Sequence, residues 1–335
     1  MSHTKNLLVK ALEKVEASLN QMKNEVISKM NPLLFKGEKY WTNAVNNQAF
    51  QQFIQREKDF YLSYQGKQIC TGIISEIILN PDKFDYAYEI LSNDESKDVF
   101  NQFISYHVAY SIIGEMAFLL FPPLIHPNIM QDQNEQYRYS DIVEPVKGDV
   151  VIDAGAYNGD TAFWFLKYIG EEGKVYSFEP VNSNFDIINE KIRINNTRNI
   201  IPIKSGLWSE EKTLNIIGFG GGDSSFLAEN GGSEVKVISL DKFVKDNNIQ
   251  KVDFIKMDIE GAEIQGLKGA GETIKKLKPK LTICVYHSKR DIYEIIDFIN
   301  SQEQNYRFYL RHNSFSWFET VLYARPYAGV QSMHE

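Results

Sequence analysis

The chain has 335 residues, and at about 150 residues per domain this length predicts two units. Its 43% hydrophobic, 24% charged and 13% aromatic residues are the composition of an ordinary folded, water-soluble protein, and exclude a disordered, fibrous or membrane-embedded one. Lys and Arg number 36 against 44 Asp and Glu, and the formal charge of -8 argues against a general phosphate-backbone binder, so no nucleic-acid partner is expected.

From the start of the chain, residues 1–21 hold no continuous apolar core and no small-residue cleavage site, which does not read as a secretory signal. The only cysteines, Cys70 and Cys284, make neither a disulfide framework nor a four-cysteine zinc site, and both are expected to be buried small hydrophobes. A reducing compartment, the cytoplasm, is therefore predicted. Leu8, Ala11, Leu12, Val15 and Leu19 recur at the spacing of one helical face, and the pattern continues through Phe50, Phe53 and Ile54. Ile73, Ile74, Ile77 and Ile78 mark a further helix that stops at Asn80-Pro81. Ser92-Asn93-Asp94 supplies capping side chains for another, running through Val99, Phe103 and Val108. The most apolar stretch, 112–125, is broken by Glu115 and Pro122-Pro123 and falls short of the roughly 20 apolar residues of a membrane span, so it reads as a core helix.

Beyond 140 the periodicity changes. Short β-branched runs at 149–154, 174–179, 200–203, 252–257 and 281–286 alternate with helical patterns at 159–169, 182–195 and 262–277. Such runs read as strands buried on both faces, and strand-helix repetition implies parallel strands joined by right-handed crossovers, hence an open doubly wound α/β sheet. Two last runs, 306–311 and 318–324, read as a strand pair joined by a turn. The predicted domains are a helical region, 1–140, and an α/β domain, 141–330.

In such a sheet a ligand sits at the carboxyl ends of the strands. The loop after the first strand places Asp153 at the strand end and brackets the turn into a helix with Gly155 and Gly159. Its glycines let a ligand approach the backbone, and the helix start offers N–H groups to a carboxylate. The G-x-x-x-G spacing, with an acidic side chain where a pyrophosphate would lie, counts against a nicotinamide enzyme. Glu179, ending the second strand, is placed to accept hydrogen bonds from both hydroxyls of a ribose. An amine acceptor, a carboxylate cradle and a diol acceptor together fit S-adenosylmethionine.

Five segments carry a resemblance: DAGAYNGDT (153–161), SFEP (177–180), KMDIEGAE (256–263), VYHSKRD (285–291) and ETVLYAR (319–325). In this order and spacing residues 149–325 resemble the FkbM-type branch of the S-adenosylmethionine-dependent methyltransferases. The segments LSNDESKDVF (91–100) and QYRYSDIVEPVKGDVVIDAG (136–155) also resemble the helical leaders of some members. The resemblance implies a Rossmann-like class I methyltransferase fold of seven strands, the last antiparallel, with an N-terminal helical region. It implies cofactor contacts from Asp153, Gly155, Ala156, Asn158, Gly159, Thr161, Glu179 and Pro180, and places Ser205, Gly206 and Leu207 near the adenine. The acidic residue that many related enzymes carry at the third strand is absent here, and Trp208 is a candidate to stack on the purine.

Methyl transfer to a hydroxyl needs alignment of acceptor and methyl and a group to take the proton. Asp258, Glu260 and Glu263 follow the fourth strand and His287 ends the fifth, so Asp258 and His287 are expected in one cleft, with His287 as base because imidazole titrates near neutrality. Asp258 and Glu260 complete the predicted catalytic set; Glu263, at a helix start, is read as serving the helix dipole. Asp258, Glu260 and His287 could instead ligate a divalent ion, but their spacing is not diagnostic and no metal is assigned. His312 and Glu319 are candidates to bind the acceptor, and the glycine-rich 218–225 reads as a loop over it or as a plain hairpin connection. Aromatics of 306–318 could face a sugar. Lysines 275–280 read as a solvated helix end with no partner. The expectation is O-methylation of a sugar or glycan hydroxyl, with a polyketide-like small-molecule acceptor, or a non-catalytic nucleotide-binding scaffold, as the alternatives. A homodimer through the helical region is left open.

Overall fold

The computed structural model describes residues 73–113, 133–218, 225–228, 232–313 and 319–327, with scattered helical positions between 3 and 17. These fall into two units. The described part of one unit comprises the positions between 3 and 17 with 73–89 and 97–113; the other holds 90–96, 133–218, 225–228, 232–313 and 319–327. Expected features at Phe50–Ile54, Cys70, 114–125, 219–224 and 314–318 lie outside the described residues.

The first unit is helical. Helix α1, Ile73–Leu79, stops at Asn80, and Pro81, which lacks the N–H that a first-turn residue does not need, opens α2, Pro81–Ile90. Helix α3, Asp94–Ile113, starts at Asn93, whose Oδ1 accepts the Ser96 N–H at 2.9 Å. Ile73, Ile77, Phe84, Phe100, Phe103 and Val108 are buried.

The second unit is built on a seven-stranded sheet. Strand β1, Val150–Ala154, lies at its centre because Val151, Ile152 and Ala154 bury both faces. It pairs in parallel with β2, Lys174–Phe178, on one side and with β8, Phe254–Met257, on the other. Strand β3, Ile200–Ile203, flanks β2, and β9, Lys280–Cys284, flanks β8. Beyond β9 comes β11, Thr320–Pro326, antiparallel, and then the edge strand β10, Tyr306–His312. The order is therefore β10-β11-β9-β8-β1-β2-β3, with one reversed strand, as expected from the sequence. Helices α4, Asp160–Ile169, and α5, Asn182–Ile194, make the crossovers on the β1–β3 side. The helical pattern at 262–277 divides into α7, Glu263–Lys268, and α8, Gly271–Leu277, the first following α6, Leu240–Asp246. The division comes at Gly269, where a Cβ would stand 1.9 Å from the Trp208 carbonyl oxygen, so the chain passes too closely for any side chain. Helix α9, Asp291–Gln302, packs beside α7 and α8 and leads into β10.

A second sheet was not foreseen. Strands β4, Gly206–Leu207, β5, Lys212–Gly218, β6, Ser225–Ala228, and β7, Ser233–Ile238, line up as β4-β7-β5-β6. Gly218 pairs with Ser225, so the glycine-rich segment connects a hairpin. Among the described residues no helix is long and apolar enough to cross a membrane.

Candidate active site

Strand order reverses beside β1, which opens a crevice at the carboxyl ends of β1, β2 and β8. A cavity of about 750 Å³ occupies it, bounded by the loops after these strands, the 3₁₀ turn Gln133–Tyr137, the second sheet and the ends of β9 and β11. The loop after β1 crosses directly over the loop after β8. Gly155, at φ +77°, would place a Cβ 1.8 Å from the Asp258 carbonyl oxygen. Gly155 and Ala156 both donate their N–H groups to the Phe178 carbonyl at 3.1 Å, which fixes the loop against β2. Ala156, Asn158 and Thr161 line the cavity beyond it. Gly159 caps α4 and lies outside the lining, so its part is to turn the chain.

Asp153 stands at the end of β1, where the sequence reading put it. It is fully buried and does not line the cavity. Its Oδ2 accepts from Thr161 Oγ1 at 2.8 Å, and Oδ1 stands 3.3 Å from Lys256 Nζ, itself buried. Lys256 also donates to the carbonyls of Ala154 and Gly155, at 3.1 and 2.6 Å. Burial opposes the charge on Lys256, but Asp153 and then Asp258 outweigh it and raise its pKa. The carboxylate read as a ligand for an amine is thus the counter-ion of a lysine that holds the loop from beneath.

Glu179 does line the cavity. Its Oε2 accepts the Tyr157 N–H at 2.9 Å and Oε1 the Val181 N–H at 2.8 Å, which aims the carboxylate along the β2 end. Burial pushes its pKa up to about 7, against the pull of those N–H groups. Asn184 Nδ2 also approaches Oε1 at 3.5 Å, so of the two oxygens, each with two lone pairs, Oε2 keeps room for a ligand donor. Pro180, Gly206, Leu207 and Trp208 continue this wall, while Ser205 turns away and its hydroxyl donates to the Gly206 and Lys236 carbonyls at 3.2 Å.

The opposite end gathers Asp258, Glu260, His287 and Glu319. His287 Nε2 lies 3.4 Å from Glu260 Oε2 and 3.7 Å from Asp258 Oδ1, and Nδ1 lies 3.0 Å from Glu263 Oε1. Tyr137 donates its hydroxyl to Asp258 Oδ2 at 2.7 Å, and the Tyr286 hydroxyl approaches Oδ1 at 3.4 Å. Burial pushes Asp258 upward, but Lys256, His287 and the Tyr137 bond hold it below the usual carboxylate range. Glu319 is pushed up to about 7, first by burial and then by Asp258. For His287 burial favours the neutral ring, yet Glu260, Glu263 and Asp258 prevail and raise it to about 11. The expectation of a neutral histidine base therefore meets an imidazole that its carboxylate neighbours keep protonated at neutral pH. Glu263, read as a helix-dipole residue, accepts the Ile259 N–H at 2.8 Å and also faces His287. His312 is buried with Nδ1 3.0 Å from Thr320 Oγ1 and does not line the cavity.

Sequence reasoning missed Lys256, Tyr137 and Tyr286. All three stand within segments already quoted, but their roles depend on which strands become neighbours.

The strand order with its single reversed member, and a cavity at the carboxyl ends of β1, β2 and β8, define the class I methyltransferase fold. Residues 153–308 match the family model described as the methyltransferase FkbM domain. The chain is similar to the hexuronic acid methyltransferase AglP of Haloferax volcanii, at 28% identity over 145 residues, 40% of this chain and 55% of that protein. Its fold is similar to the crystal structure of methyltransferase FkbM from Methylobacillus flagellatus KT, at a TM-score of 0.59 and 22% identity, covering 78% of this chain and 63% of that one. The chain thus spans less than two thirds of the length of either relative.

Proposed function

We propose that the protein is an S-adenosylmethionine-dependent O-methyltransferase acting on a sugar or glycan hydroxyl. The observation that carries this reading is the placement of Glu179 at the β2 end, its carboxylate fixed by two backbone N–H groups and open to the cavity. A ribose diol donates to it, and the amino-acid end of the cofactor lies beside the Gly155–Thr161 loop. The lining favours a cationic ligand: Asp160, Glu179, Asp258, Glu260 and Glu319 face Lys256 and His287, both of which already face carboxylates. A sulfonium suits such a lining.

Asp258, Glu260 and Glu319 are hydrogen-bond acceptors, as a polyol's hydroxyls require. The acceptor oxygen attacks the methyl carbon, the carbon–sulfur bond breaks, S-adenosylhomocysteine leaves, and the hydroxyl proton passes into the carboxylate cluster. The sugar acceptor draws support from the hexuronic acid named for the Haloferax volcanii relative. The buried free thiol of Cys284 goes with the cytoplasmic location expected from the sequence.

Isothermal titration calorimetry tests the first step. S-adenosylmethionine is expected to bind the full chain, and Glu179→Ala to weaken it at least about tenfold, the loss of a charge-assisted pair of hydrogen bonds. No heat of binding at millimolar cofactor defeats the reading.

A further inference from the structure

We propose that Asp258, Glu260 and His287 form a binding site for a divalent cation at the acceptor end of the cavity. One donor atom from each lies within 4.8 Å of the others. The separations from His287 Nε2, 3.4 Å to Glu260 and 3.7 Å to Asp258, are wider than the ~2.7–3.2 Å of a direct hydrogen bond. Ligand distances of ~2.0–2.2 Å put neighbouring donors ~3–3.5 Å apart, so the Glu260 separation matches donors around one ion and the Asp258 one needs only a few tenths of an ångström of closure.

The groups behind the cluster point to the same ligand independently. The imidazole is nine-tenths buried, with 8% of its side chain exposed, and its far nitrogen, Nδ1, faces the fully buried Glu263 at 3.0 Å. Glu263 is in turn fixed by the Ile259 N–H. The Glu263 carboxylate beside Nδ1 favours a proton there, so an ion that binds Nε2 displaces only the second proton of the metal-free imidazolium. Asp258 is anchored likewise: Tyr137 takes Oδ2, and Oδ1 turns toward Nε2 with only the 3.4 Å approach of Tyr286 beside it. Glu319 lines the same cavity with Oε2 buried and without a hydrogen-bond partner among the described residues. Lys256, a cation of the same cavity lining, is engaged by Asp153 and two carbonyls.

Two carboxylates and one imidazole suit Mn²⁺ or a similar divalent ion. Three protein donors leave positions for two oxygens of a polyol, and an ion there would acidify the hydroxyl that attacks the methyl group. This role rests on the methyl-transfer reading; the binding site does not.

The test is Mn²⁺ titration of the chelator-treated full chain, followed by electron paramagnetic resonance without cofactor. One bound Mn²⁺ per chain is expected, displaced by excess Mg²⁺. Glu260→Gln, in a partly exposed side chain, is expected to weaken it at least about tenfold, and Glu263→Gln about tenfold through the ring it orients. Glu179→Ala is expected to leave Mn²⁺ binding unchanged while S-adenosylmethionine binding falls. Absence of binding at millimolar Mn²⁺, in protein whose circular dichroism shows it folded, overturns the site. So does binding that both Glu260→Gln and Asp258→Asn leave intact. Because the metal and the cofactor are titrated separately, loss of one reading leaves the other standing.

Discussion

Register decides what Asp153 and Lys256 do. The two are direct partners across the parallel pair β1–β8, so their side chains leave the sheet on one face and meet in the interior. Breaking such a buried pair by removing one member costs about 3–5 kcal/mol, because the survivor is left charged and unpaired. Asp153 was legible as an important acidic residue, but its partner lies about a hundred positions on, and nothing in either strand's composition says that they adjoin. Glu179 was legible in both place and direction, since a residue ending a central strand reaches the crevice whichever strands flank it. Its pKa of about 7, against an ordinary 4.5, has a signed consequence. Between those values the folded chain holds a proton that the unfolded chain has lost, so stability falls as pH rises through the window, by about 3 kcal/mol at most. Binding runs the other way, because a diol donates to the ionised carboxylate. S-adenosylmethionine affinity is expected to rise by roughly tenfold per pH unit up to 7 and then level off. Calorimetry from pH 5.5 to 8.5 checks this; Glu319 titrates in the same window, so the slope belongs to Glu179 only if Glu179→Gln removes it.

At the scale of elements, the edge of the large sheet shows how the chain protects a strand. Strand β10 has β11 on one side, and on the other the segment 91–96 runs along it. Ser92 donates its N–H to the Phe308 carbonyl at 2.8 Å and its Oγ accepts the Phe308 N–H at 3.1 Å, while Ser96 Oγ accepts the Leu310 N–H at 2.8 Å. A covered edge cannot pair with another chain. Ser96 is fully buried whereas Ser92 is exposed. Ser96→Ala is therefore expected to cost about 1–3 kcal/mol in urea unfolding, the penalty of a stranded N–H, and Ser92→Ala less, because water replaces its hydroxyl. Equal losses would contradict this account. The capping signal at Ser92-Asn93-Asp94 was legible, and Asn93 is the cap; the serines' service to a strand two hundred residues later was not. Periodicity likewise revealed the parallel strands, which are apolar on both faces, and the reversed ending, but not β4–β7. In β7 polar residues alternate with the buried Val235 and Val237, and it is pairing rather than composition that makes the four strands a sheet.

Across the molecule, the cavity draws together pieces that are far apart in the chain: the turn at 133–137, the ends of β1, β2, β8 and β9, and Glu319 before β11. Each is positioned by the sheet, so a ligand that touches all of them exists only for the folded chain and must stabilise it by mass action. At a hundred times its dissociation constant the gain is about 2.7 kcal/mol. For a cooperative unit of about 150–250 residues each kcal/mol moves the midpoint by about 2–4 °C, so saturating S-adenosylmethionine is expected to raise the unfolding temperature by roughly 5–10 °C. Differential scanning calorimetry measures it, with Glu179→Ala at the same cofactor concentration as the control that should lose most of the shift. The product S-adenosylhomocysteine keeps the ribose and the amino-acid end and lacks only the methyl group and its charge. It is expected to give a shift of similar size, and a nucleoside without the amino-acid end a smaller one. If the nucleoside alone matched both, the Gly155–Thr161 loop would have no part in binding, and the division of the cavity into a cofactor arm and an acceptor end would fail.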